Sequence, residues 1–133
     1  MGPATNNAAA TTFGLSTIGQ VAITVTDVDR AVGFYRDSLG MKLLFQVPNM
    51  GFFDAGGVRL MLSGSEEPGE NHSSILYFKV RDIQAAFQIL SGRGVDFERE
   101  PHLVARLSDH DLWMAFFRDP DRNLMALMSE VGK

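Results

Sequence analysis

Apolar and polar residues alternate along two stretches of the chain, and each alternation then gives way to helical spacing. The first stretch is "QVAITVTDVDRAVGFYRDSLGMKLL" and the second is "ILYFKVRDIQAAFQILSGRGVDFE". Placing Gln20 over Ile75, a shift of 55 residues, sets Val21, Ile23 and Val25 over Leu76, Phe78 and Val80, and Asp27 over Asp82. Period-2 alternation predicts a half-buried strand in each copy. Asp27 and Asp82 then stand where an N-cap carboxylate accepts from the first helical N–H groups. Val28, Ala31, Val32, Tyr35 and Leu39 follow at helical spacing in one copy, and Ile83, Ala86, Phe87 and Leu90 in the other. Gly40 and Gly94 suit the helix ends.

Both halves also end alike. "GFFDAGGVRLMLS" and "MAFFRDPDRNLMALMS" each read as strand, turn, strand, and Asp119 and Pro120 suit the first positions of a type I turn. The sequence therefore predicts an α+β fold of two βαβββ modules, at about 18–63 and 74–129, joined by an acidic, polar linker at 64–73. Residues 1–15 read as a flexible tail, and 16–131 as one domain. One helix per module covers one sheet face. The opposite faces are then free to curl around a cup-shaped cleft or to pack on a second chain. Strand parity puts Gln20, Ala22 and Thr24 on the free face of the first strand, with Arg59, Met61 and Ser63 on another strand. Ile75, Tyr77 and Lys79 take that face in the second module, as do Leu124, Ala126 and Met128.

Composition narrows the function. Twelve basic residues stand against 16 acidic ones, for a formal net charge of −4. Nucleic acid is not the expected partner, since phosphate binding needs a basic face. With no cysteine, thiolate nucleophiles and Cys-ligated metal centres are excluded. No apolar run approaches the roughly 18 residues of a membrane span. The N-terminus has neither a basic start nor an apolar core, so no secretory signal is expected, and a cytoplasmic location is the default.

"VAITVTDVDRAVGFYRDSLGMKL" and "FFRDPDRNLMAL", in this order and spacing, resemble the vicinal oxygen chelate superfamily of glyoxalases, bleomycin resistance proteins and extradiol dioxygenases. The resemblance implies two curled modules forming a cup, often with a divalent metal at its base, and often a homodimer. It also implies four cup-facing ligand positions, usually His or Gln, Glu, His and Glu. They fall here on Gln20, Met61, Ile75 and Ala126. Ile and Ala carry no lone pair, and a thioether suits Cu(I) rather than a hard divalent ion. The expectation is therefore no metal and no other cofactor. The superfamily's Lewis-acid chemistry does not carry over. Arg122 stands where the family turn usually has Gly, which puts the turn in question.

A pocket for a partly apolar small molecule remains, anionic if Arg59 anchors it, and lined by Gln20, Arg59, Met61, Ile75, Tyr77, Trp113 and Ala126. Arg59 alternatively has an internal partner. Gln20 and Tyr77 either bind the ligand or satisfy one another or a water. The densest polar cluster is "EPHLVARLSDHDLW", with His102, His110, Asp109 and Asp111. His110 reads as a surface residue, as an acid–base group oriented by a neighbouring Asp, or with His102 as a displaced metal site. The binding reading thus stands beside an alternative from another class. That alternative is a lyase, epimerase or oxygenase using His110, His102 or Tyr77, with a non-standard metal or none.

Overall fold

Ile23 and Val25 are buried to 0% and 1% exposure while Gln20 and Ala22 stay more open, so the alternation of the first strand has one side in the core. The computed structural model describes residues 16–65 and 74–133. The predicted tail at 1–15 and most of the predicted linker, residues 66–73 with His72, lie outside the described residues.

The first module runs β1 (Gln20–Val25), α1 (Val28–Gly33), β2 (Lys42–Val47), β3 (Met50–Ala55) and β4 (Val58–Gly64). The second runs β5 (Leu76–Lys79), α2 (Ile83–Gly92), β6 (Asp96–Phe97), β7 (His102–Arg106), β8 (His110–Arg118) and β9 (Leu124–Gly132). Sheet one has the order β1-β4-β3-β2. Sheet two has the order β5-β9-β8-β6, with β7 also paired to β8. In both, the first and last strands of a module are parallel neighbours and the remaining pairs are antiparallel. β6 and β7 meet successive parts of the same edge of β8, so together they occupy the place of β2. The break between them contains Pro101, which has no N–H to give a ladder. This is the predicted α+β duplication. The two sheets are mixed and open rather than closed into a barrel.

The helix ends follow the predicted chemistry. Asp27 accepts from the Arg30 N–H and Asp82 from the Ala85 N–H, each at 3.0 Å. Gly40 and Gly94 take φ of +75° and +89° after the helices, which a side chain would resist. α1 does not simply stop at Gly33. It widens into a π-helical turn over Phe34–Ser38, which carries Tyr35 into the core. Close approach of α1 to β3 is possible because residue 51 is glycine; a Cβ there would lie 2.8 Å from a Val32 methyl.

The helix-covered faces of both sheets share one core, which includes Ile23, Tyr35, Phe53, Leu62, Phe117 and Met125. Polar contacts lock the modules on that same side. Asp119, 2% exposed, accepts from the Tyr35 hydroxyl at 2.8 Å. It also accepts from the Asn123 side chain and backbone N–H, both at 2.8 Å, and from the Asp121 N–H at 2.9 Å. Asn123 then donates to the Thr24 carbonyl, and Asp121 accepts from the Thr26 N–H. The predicted turn is present, with the Arg122 N–H donating to the Asp119 carbonyl at 2.9 Å. Among the described residues, no helix is long and apolar enough to cross a membrane.

Candidate functional site

The faces of the two sheets that point away from the helices carry the polar outliers of the sequence. Register arranges sheet one's free face in rows. Gln20, Arg59, Asp54 and Lys42 form one; Ala22, Met61, Phe52 and Phe45 form the next; Thr24, Ser63, Met50 and Val47 form a third. Gln20 and Arg59 are therefore directly opposite each other, and their side chains meet. The Arg59 Nε donates to Gln20 Oε1 at 3.0 Å, while Gln20 Nε2 lies 3.8 Å from Met61 Sδ. Arg59's guanidinium sits 5.6 Å from the centroid of Phe52, a cation–π contact worth about 0.5–1 kcal/mol at an exposed site. Phe52 in turn stacks on Phe45 at 4.5 Å, with 21° between the rings. Among the described residues no carboxylate is within ion-pair distance of Arg59; Asp54, its cross-strand neighbour, accepts instead from the Gly57 N–H.

Sheet two repeats the plan with different side chains. Tyr77, Ala126 and Phe116 share a row, and Lys79, Met128, Met114 and His102 share the next. Phe116 is flanked by Tyr77 at 6.4 Å, edge-on, and by the His102 imidazole at 6.2 Å. Ala126 is fully buried beneath this cluster, whereas Tyr77 and Ile75 are 46% and 41% exposed. His110 lies farther along the same face. Its Nδ1 is 2.8 Å from Asp109 and its Nε2 is 4.0 Å from Glu130, which pairs with Lys79 at 3.0 Å. His102 aligns with Met114, four positions from His110 along β8, and its ring turns toward Phe116. That register keeps the two imidazoles apart, at about 13 Å along the strand.

The structure thus brings Gln20, Arg59 and Met61 together on one sheet, and Tyr77, Ala126 and His102 on the other, with His110 toward the far end. Trp113 is not among them. It alternates with the free-face residues of β8, packs against the core, and lines a recess with Ile83, Gln84 and Ser129. Sequence reasoning does not place Phe45, Phe52 or Phe116 at the site, although Phe116 belongs to the aromatic run of the second half. A bulge at Leu44 breaks the alternation of β2 and hides the parity of Phe45.

The donor set at the four positions implied for a metal can be compared with what such an ion needs. Gln20 supplies one amide oxygen, already accepting from Arg59. Met61 supplies a thioether, and Ile75 and Ala126 supply hydrocarbon. A hard divalent ion asks for several oxygen or imidazole donors, and these residues do not fit it. Among the described residues no group of three or more His, Asp and Glu side chains is gathered for a metal ion.

Comparison with known proteins agrees with the architecture. Residues 17–127 match the model of the Glyoxalase/Bleomycin resistance protein/Dioxygenase superfamily. The chain is 32% identical to YraH of Bacillus subtilis, an uncharacterized protein, over 81% of this chain and 94% of that one. Its fold is similar to that of a lactoylglutathione lyase from Agrobacterium tumefaciens, with a TM-score of 0.72 at 21% identity, covering 87% of this chain and 95% of that one. It is also similar to a glyoxalase/bleomycin resistance protein/dioxygenase from Alicyclobacillus acidocaldarius, with a TM-score of 0.71 at 22% identity, covering 86% and 91%. From the duplicated modules, the match over most of its length and these shared folds, the chain belongs to the glyoxalase/bleomycin resistance protein/dioxygenase superfamily.

Proposed function

We propose that this protein binds a small, partly apolar molecule on the free faces of its sheets, without the divalent metal usual in its superfamily, and that it works as a homodimer. The observation that carries the reading is the Gln20–Arg59 bond at 3.0 Å. The one oxygen of the four-position set is engaged by a cation, and a bound metal ion would have to displace or repel that guanidinium. What surrounds the pair is apolar and aromatic, Met61, Phe52 and Phe45, and the free face of the other sheet carries its own aromatic pair, Tyr77 and Phe116. Apolar and aromatic side chains with a few fixed polar groups are what line small-molecule sites. Phe45 and Tyr77, both close to half exposed, support a second copy that would cover these faces.

A second reading is favoured by one observation. His110 has a carboxylate on each ring nitrogen's side, Asp109 at 2.8 Å and Glu130 at 4.0 Å, the setting of an oriented acid–base group. In that reading the protein is a lyase, epimerase or oxygenase. The two are separated by a fragment panel titrated into 15N-labelled protein with excess chelator present. Binding predicts shifts at Gln20, Met61 and Tyr77 that persist with chelator and in His110→Ala. Loss of every shift on chelation would sink the metal-free reading. Turnover of a bound fragment that His110→Ala abolishes would move the enzyme to the front.

A further inference from the structure

Arg59 is half committed. Its Nε is used by Gln20, and its Cζ lies over the Phe52 ring, 5.6 Å from the centroid. The two terminal nitrogens have no partner among the described residues, and no carboxylate is within ion-pair distance. A guanidinium fixed through Nε presents its remaining edge end-on, as two coplanar donors that match the two oxygens of a carboxylate. Next to that edge, Phe52 and Phe45 stack face to face at 4.5 Å as an aromatic pair, with Phe45 45% exposed. Met61, in register with Phe52, extends the apolar floor toward Gln20.

These features select a ligand class by elimination. A cation would meet Arg59 with like charge. A neutral apolar molecule would cover the aromatic pair and leave the guanidinium donors without partners, which is costly once water is excluded. Asp54 stands opposite Arg59 in register and disfavours a second negative charge on the ligand, as on a phosphate dianion, although Lys42 opposite Asp54 offsets part of that effect. An aliphatic acid would satisfy the fork but use the stacked rings poorly. Resting on the reading that the free faces form the ligand site, we infer that this site takes an aromatic monocarboxylate. Its ring packs against the stacked pair of Phe52 and Phe45, and its carboxylate accepts end-on from Arg59.

The test is calorimetric titration with 2-naphthoate, 2-naphthamide and cyclohexanecarboxylate, with binding located by backbone amide shifts. The expected order puts 2-naphthoate tightest, with shifts at Phe52 and Arg59. Arg59→Met is expected to weaken 2-naphthoate about tenfold to a hundredfold, the scale of a hydrogen bond to a charged group, and to weaken 2-naphthamide far less. Phe52→Leu is expected to erase the preference for the aromatic acid over cyclohexanecarboxylate. If 2-naphthamide binds the same face as tightly as 2-naphthoate, or the acid keeps its advantage in Arg59→Met, the inference is overturned while metal-free binding stands. If no probe shifts either free face, both fall. Should a variant fail to fold, the order of the three probes on the unmodified protein decides alone.

Discussion

Arg122 adopts φ of +68° in the turn after Pro120, a left-handed conformation in which a Cβ crowds the following carbonyl. Its side chain reaches Asp96 at 2.9 Å, but both partners are mostly exposed, so that pair offsets little of the strain. Arg122→Gly is therefore expected to raise stability by about 0.5–1 kcal/mol in urea unfolding; a loss of stability would mean that the Asp96 pair outweighs the strain. This position is legible in the sequence, because an Arg in a turn that calls for positive φ is visible in one dimension. Gln20 and Arg59 are equally visible as polar residues on an apolar face. Their bond is not, because alternation assigns faces but does not align β1 with β4, 39 residues apart. Trp113 stands out as the only tryptophan of the chain. Its side of β8 is odd-numbered like that of Phe117, and parity against that core residue turns it from the free face.

Duplication governs the elements. The caps at Asp27 and Asp82, the glycines at 40 and 94 and the strand order within each module follow from signals that occur twice. Where the copies diverge, the sequence is harder to read. The π-helical turn at Phe34–Ser38 has no marker residue, and its wider pitch is set by the demand to seat Tyr35 against Phe53 and Asp119. The interruption between β6 and β7 has only Pro101 to announce it. One exacting contact between elements is α1 on β3. A methyl at residue 51 would lie 2.8 Å from Val32, so helix or strand must shift to admit it. Gly51→Ala is expected to cost about 1–3 kcal/mol, the usual penalty for overpacking. A thermal unfolding midpoint equal to that of the unmodified protein would show that α1 can slide.

At the scale of the whole molecule, the modules are joined on their helix side, where Tyr35 of the first reaches Asp119 of the second at 2.8 Å. Burial raises the Tyr35 pKa well above its ordinary value near 10, and the Asp119 carboxylate raises it further. The unfolded chain then releases this proton at a lower pH than the folded one. Stability is accordingly full below about pH 10 and falls as the pH rises above it. Tyr35→Phe is expected to lose about 1–3 kcal/mol at neutral pH, and to show a shallower decline above pH 10 in urea unfolding. Equal slopes for the two proteins would mean that Tyr35 ionises in the folded state.

Joining the modules from behind leaves both free faces uncovered by the helices, and their side chains decide whether a metal ion can be held there. Elemental analysis of untagged protein by plasma mass spectrometry, after incubation with Mn, Fe(II), Co, Ni and Zn and desalting, tests this most directly. Gln20, Met61, Ile75 and Ala126 predict far less than one ion per chain for every metal, with no change in Gln20→Ala. One tightly held ion per chain would contradict the account and point to a ligand set elsewhere, with His102 and His110 the first residues to replace.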